Sequence, residues 1–420
     1  MAFKKDTMIK TKLTILFILF VQAIFGQKNT DYLSDNRVDL RTDSPMITET
    51  DFNIIGFGAL HGSAKTYDAE LSLVSSLVEK NLLDYYIIET NYSQAYYFQE
   101  YLKTGNEKLL KELTLSFQTI VSQEGTIETF NHWKNIRELN LKYPNKSIKV
   151  IGCDVVNEYR FPIKHILHLT KDDNSWNERE NLKKVNLQVD LDFGIWNKEI
   201  NSIVKSFVQD YLSNKEKYKE LITDIDDFDH IIGNINYNFK EKREREKIIF
   251  ANYMYLHKKL NLSDKKQFAK YGYFHIQKER EGNYPSFFTR LIENNVYERN
   301  NVITIMGYLT KSKVLWDKKY DEDGNYRSYT TKAGYGISDY WKEYFKGIKN
   351  LKKASLSDLT LFKLNQKNSP YSHETDLVEI KMFLKDHNTR KLKGKNTLQF
   401  IDYAILIRES KEQVPIEEMK

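Results

Sequence analysis

Short, almost wholly apolar runs alternate along this chain with amphipathic stretches, and few architectures accommodate that pattern. Residues 53–58 (NIIGFG), 85–89 (YYIIE) and 148–153 (IKVIGC) read as strands buried on both faces. Between them, residues 68–80 place Leu71, Val74, Leu77 and Val78 at helical spacing. Residues 93–102 and 107–117, parted by Gly105-Asn106, and residues 127–141, ended by Tyr143-Pro144, also read as helices. The alternation predicts right-handed crossovers and an α/β fold with a mainly parallel central sheet flanked by helices. Residues 160–262 are charged, helix-prone and poor in strands, which predicts a helical insertion. Strands return at 268–274, 301–306 and 400–407. Residues 308–345 form an aromatic-rich long loop carrying Trp316, Tyr320, Tyr326, Tyr329, Tyr335, Tyr340, Trp341 and Tyr344. Loops of that length are usually functional or disordered, and the aromatics argue against disorder.

The ends of the chain bear on its compartment. Basic residues precede an apolar run over 13–25, and Gly26 offers a small residue for cleavage, so residues 1–26 are expected to be a signal peptide. The run is shorter than the about 20 residues that span a bilayer. The expected product is periplasmic or secreted, with no membrane attachment after cleavage. Residues 27–50 would lead into one domain over 51–410, followed by a tail over 411–420. The formal charge of +6 owes half its value to the first twelve residues. The remainder gives no argument for a nucleic-acid partner. One cysteine, Cys153, excludes an internal disulfide and reads as a buried thiol.

The apolar runs end on chemically capable residues. His61 closes Gly58-Ala59-Leu60-His61, and His275 closes Gly272-Tyr273-Phe274-His275; no other histidine follows a glycine at that spacing. Glu89 ends the second strand and Asp154 the third. Open α/β sheets bind ligands beyond the carboxyl ends of their strands. Neutral imidazole there can take a proton near pH 7. A carboxylate closing an apolar run is costly to bury unless paired. Asp154 and Tyr273, at the same strand ends, are assigned to substrate binding, although an acid after a strand also caps turns. Arg245 lies in a charge-dense stretch that reads as a solvated helix face. A guanidinium that reached the site would instead stabilise an oxyanion. His165 and His168 share a helical spacing without a nearby acid to complete a metal box, and HExxH, GxSxG and GxxxxGK[ST] motifs do not occur.

Taken in order, these blocks resemble the erythromycin esterase family and the wider superfamily that includes the Tiki-type metalloproteases and a bacterial haem-uptake family. The resembling blocks are Gly58-Ala59-Leu60-His61-Gly62 before a helix, Ile87-Ile88-Glu89 followed by Tyr101-Leu102-Lys103-Thr104-Gly105, and Gly152-Cys153-Asp154. Arg245-Glu246 with Asn252, Gly272-Tyr273-Phe274-His275 and the strand over 400–407 complete the set. The resemblance implies a hydrolase in which His61, Glu89, His275 and Arg245 occupy the site. Water would be activated for attack on an ester or related carbonyl of a small-molecule or acylated substrate, with no cofactor. The Tiki-type branch implies an alternative in which His61, Glu89 and His275 hold a divalent metal. Many relatives carry a glutamate inside the first block, where this chain has Gly58 and Ala59. That departure leaves a carboxylate missing, and it raises a third expectation: a non-catalytic secreted ligand-binding protein with a degenerate site.

Overall fold

The computed structural model describes residues 28–43, 47, 50–188, 191–322, 324–333 and 338–419. The expected signal peptide and Tyr335 lie outside these residues. Among the described residues no helix is long and apolar enough to cross a membrane.

The strands are β1 (Arg37–Asp39), β2 (Ile54–Ala59), β3 (Tyr85–Ile88), β4 (Lys149–Gly152), β5 (Gln267–Gly272), β6 (Val302–Thr310), β7 (Val314–Tyr320), β8 (Tyr326–Lys332), β9 (Asp339–Tyr340), β10 (Glu343–Phe345), β11 (Leu359–Lys363), β12 (Ile380–Met382), β13 (Lys385–Asp386) and β14 (Tyr403–Arg408). Eight of them form the central sheet in the order β1-β11-β14-β6-β2-β5-β3-β4. From β14 to β4 every neighbouring pair is parallel, while β11 and β1 close one edge antiparallel. The α/β expectation of a mainly parallel sheet flanked by helices therefore holds.

Successive residues of these strands feed opposite cores. Ile55 and Phe57 pack with Leu73, Phe98 and Trp133 from the helices Ala64–Glu79, Tyr92–Thr104 and Ile127–Lys142. Ile54, Ala269 and Tyr271 pack with Ile249, Tyr253 and Phe287 from the helices Arg245–Lys259 and Phe287–Glu293. Burial on both faces explains why the strands read as continuous apolar runs. Helices between residues 160 and 236 enclose a third core around Trp176, which stacks on Tyr218 with ring centroids 4.0 Å apart.

Within the aromatic-rich connection the chain is more ordered than a loop. β7 and β8 pair as an antiparallel hairpin, and β9 and β10 join β12 and β13 in a small second sheet. The base of the hairpin braces the turn after β2. Gly62 O accepts hydrogen bonds from Leu315 N at 2.8 Å and from Gln413 N at 2.9 Å. Gly62 has φ +86°, and a Cβ added there would sit 2.6 Å from Leu315 O. We expect Gly62→Ala to destabilise the protein by about 1–3 kcal/mol through strain and this clash. An unchanged thermal midpoint would contradict the bracing role.

Candidate active site

The strand order explains how distant segments converge. β5 inserts between β2 and β3, with Ala59 level with Gly272, and Lys270 level with Ile88. His61, His275 and Glu89 therefore emerge from three adjacent strands at one sheet edge, and Asp154 from the next. Glu89 is buried, 4% exposed, at the centre of the group. Its Oε2 lies 3.6 Å from His61 Nε2 and its Oε1 3.6 Å from His275 Nε2. These separations are too long for direct hydrogen bonds. Glu89 Oε1 accepts from Arg245 Nη2 at 2.8 Å, and Oε2 accepts from the Gly272 amide at 2.9 Å.

Each imidazole has a carboxylate behind it. His61 Nδ1–H donates to Glu124 Oε1 at 2.6 Å. His275 Nδ1 lies 2.6 Å from Glu246 Oε1. Both rings thus turn Nε2 toward Glu89. Glu124 comes from the short 3-10 turn Ser122–Glu124 and is itself held by the hydroxyls of Tyr67 and Thr129. Burial raises its pKa, but the His61 bond and charge and the nearby Lys270 ammonium outweigh this and hold it at about 2. It remains ionised at any working pH, which fixes the proton of His61 on Nδ1. Burial pulls the His275 pKa down, but Glu246 and Glu89 together lift it above the ordinary 6.5. His275 is thereby biased toward imidazolium, and the Glu124 bond at Nδ1 leaves Nε2 as the free nitrogen of His61.

The family's first-block glutamate is absent, since Gly58 and Ala59 stand in its place; a different carboxylate, Glu124, backs His61 from a segment 63 residues away. Asp154, expected to contact substrate, is fully buried and commits its oxygens to Arg245 Nε at 2.9 Å and Nη2 at 2.6 Å. Arg245 itself is not a solvated helix residue. It occupies the first position of its helix, where the dipole disfavours a cation, and two carboxylates offset that cost. Its Nη1 makes none of these bonds. Tyr273 stands between a large cleft and a smaller pocket shared with Leu60 and Phe345. His165 stacks on Tyr96 with ring centroids 4.1 Å apart, and burial presses its pKa down to about 4, a packing role. Cys153 is buried, as expected.

Below the centre is a cavity of about 20 Å³, enough for one water, bordered by His61, Glu89, Glu124, His132 and Lys270. Glu124, Tyr67 and Lys270 were not singled out by motif. Glu246 is visible in the sequence only as the acid following Arg245; Glu124 gives no signal at all.

Gly272 closes the floor. A Cβ there would lie 3.3 Å from His61 Nε2 and 3.5 Å from His275 Cδ2, in the space between the two rings. We expect Gly272→Ala to fold with a near-normal thermal midpoint while losing about 10²-fold or more in kcat/KM, because a misplaced reacting geometry is that costly. Full retention of turnover would contradict a reacting centre at this point.

No family model matches the chain, and no curated protein matches it in sequence. Solved structures do resemble it. A Bacillus cereus protein superposes with TM-score 0.60 at 14% identity over 93% of this chain and 99% of its own. A succinoglycan biosynthesis protein gives 0.59 at 15% over 92% and 98%. A histidine-to-asparagine mutant of an erythromycin esterase, in its open conformation, gives 0.57 at 13% over 86% and 92%. At such identities the likeness establishes the fold, which is erythromycin-esterase-like.

Proposed function

We propose that this chain is a hydrolase that uses the His61–Glu89–His275 centre to add water to an ester or a related carbonyl. The observation that carries the reading is the pair of imidazoles that each have a carboxylate 2.6 Å from Nδ1 and both turn Nε2 toward Glu89. His61 Nε2 removes a proton from water as the water oxygen bonds to the carbonyl carbon. Glu89, held by Arg245 and the Gly272 amide, orients that water. The oxyanion that forms is received by the free Nη1 of Arg245. On collapse the acyl–oxygen bond breaks, and the departing alkoxide takes a proton from the His275 imidazolium. Positioned acid–base groups contribute about 10²–10⁴-fold, and an oxyanion donor about 10²–10³-fold. The erythromycin-esterase-like fold supports the same reading.

The divalent-metal alternative sits poorly with the donor set. Glu89 would have to supply a ligand oxygen while Arg245 lies 2.8 Å from one oxygen and an amide proton occupies the other. A cation placed there meets the guanidinium charge. The degenerate-site alternative predicts ligand binding without turnover, and the substitutions below separate it from the hydrolase reading. The substrate reading remains a small or acylated molecule, and export through the N-terminal segment is proposed from its sequence.

Three outcomes are expected. His61→Ala and Glu89→Ala should each lower hydrolysis across a panel of aryl and alkyl esters by about 10²–10⁴-fold; undiminished turnover in both would remove the hydrolase reading. Chelation, followed by metal add-back, should leave the rates unchanged, and loss with rescue would restore the metal alternative. The third concerns pH. A raised His275 pKa keeps the acid form present through the ordinary value of 6.5, and it is lost only as pH climbs past the folded pKa. The alkaline limb of kcat/KM should therefore lie above pH 6.5, and Glu246→Gln should move it to lower pH. A limb unmoved by that change would exclude His275 as the acid.

A further inference from the structure

Next to the centre opens a cleft of about 1070 Å³ that shares Arg245 and Glu246 with it. Cations outnumber acids on its walls, and most are already paired. Glu244 serves both Lys242, at 3.6 Å, and Lys247, at 2.7 Å. Lys391 has Glu281 at 3.4 Å, and Arg280 is clamped by both oxygens of Glu293 at 2.6 Å. Arg290 is different. Among the described residues its guanidinium makes no ion pair or hydrogen bond, and its Nε is buried without an acceptor. A buried N–H left open is costly, and the carboxylate nearest in the chain, Glu293, is committed to Arg280. Arg290 also sits on the helix Phe287–Glu293, where Phe288 N donates to His275 O at 3.1 Å. The open guanidinium and the catalytic turn are thus mechanically one piece.

We propose that the substrate of this centre is anionic. Arg290 receives a carboxylate, sulfate or phosphate group in the cleft while the scissile carbonyl lies between His61 and His275. A planar guanidinium suits all three groups through paired N–H bonds. Exposed Tyr284 and half-buried Phe274 on the same walls offer ring faces to the remainder of the ligand. The substrate assignment rests on the hydrolase reading; the anion site itself does not.

The test therefore has two arms. In the first, binding of pyranine, a trisulfonated pyrene dye, is followed by fluorescence anisotropy on the full chain. Wild type and His61→Ala should bind alike, Arg290→Gln should bind about tenfold more weakly, and Arg290→Lys should fall between. Equal affinity in wild type and Arg290→Gln would overturn the anion site. In the second arm, an acetoxycoumarin carboxylate is compared with its uncharged carboxamide. Wild type should show the lower KM for the acid. Arg290→Gln should raise that KM about tenfold with kcat little changed, and leave the carboxamide unaffected. Equal KM values for acid and amide in wild type would overturn the substrate assignment even if the variant failed to fold. If wild type cleaved neither ester, the hydrolase reading and the substrate class would fall together, and the anisotropy arm would still decide the anion site.

Discussion

The structure of the site depends on one buried carboxylate. Glu89 ends a fully buried strand, and an isolated anion there would cost several kcal/mol. The Arg245 guanidinium and the Gly272 amide make that position tolerable. Each partner belongs to another segment: Gly272 to the adjacent strand, Arg245 to the helix that returns from the insertion. The charge of Arg245 is in turn balanced by Asp154 at the end of β4. The network closes only when β2, β5, β3 and β4 stand in their observed order, so strand order and site chemistry are a single constraint.

The two histidines show how similar side chains acquire different work. Both have Nε2 at 3.6 Å from Glu89, and both have a carboxylate 2.6 Å from Nδ1. Their surroundings differ. Glu124 is kept ionised against its burial by His61, Lys270 and Tyr67, which leave it a fixed acceptor. Glu246 lies at the start of a helix beside the cleft, and together with Glu89 it raises the proton affinity of His275. That raised proton affinity is what suits His275 to the acid's role.

Much of this is legible in the sequence. The runs at 53–58, 85–89 and 148–153 became β2, β3 and β4 within a residue or so, because burial on both faces writes itself as continuous apolar sequence. Glycine-spaced histidines and strand-ending acids marked His61, His275 and Glu89. The insertion of β5 between β2 and β3 was not legible, since strand order is set by crossovers and not by composition. The β7–β8 hairpin was hidden for a related reason: its outer residues are exposed, so no apolar alternation marks it. Composition alone made Arg245 a solvated helix face, and only the family resemblance marked it, whereas Glu124 has no motif around it. The role of Glu124 follows only from the three-dimensional reach of the turn after Phe117.

The account turns on Glu89 being electrostatically common to both imidazoles. The most direct measurement is an NMR titration of the histidine rings in wild type and in Glu89→Gln. Neutralising the carboxylate should move the His275 titration to lower pH and displace the His61 ring resonances in the same spectra. Titration of His275 at an unchanged pH, with the His61 resonances undisturbed, would show that the two rings do not share one centre.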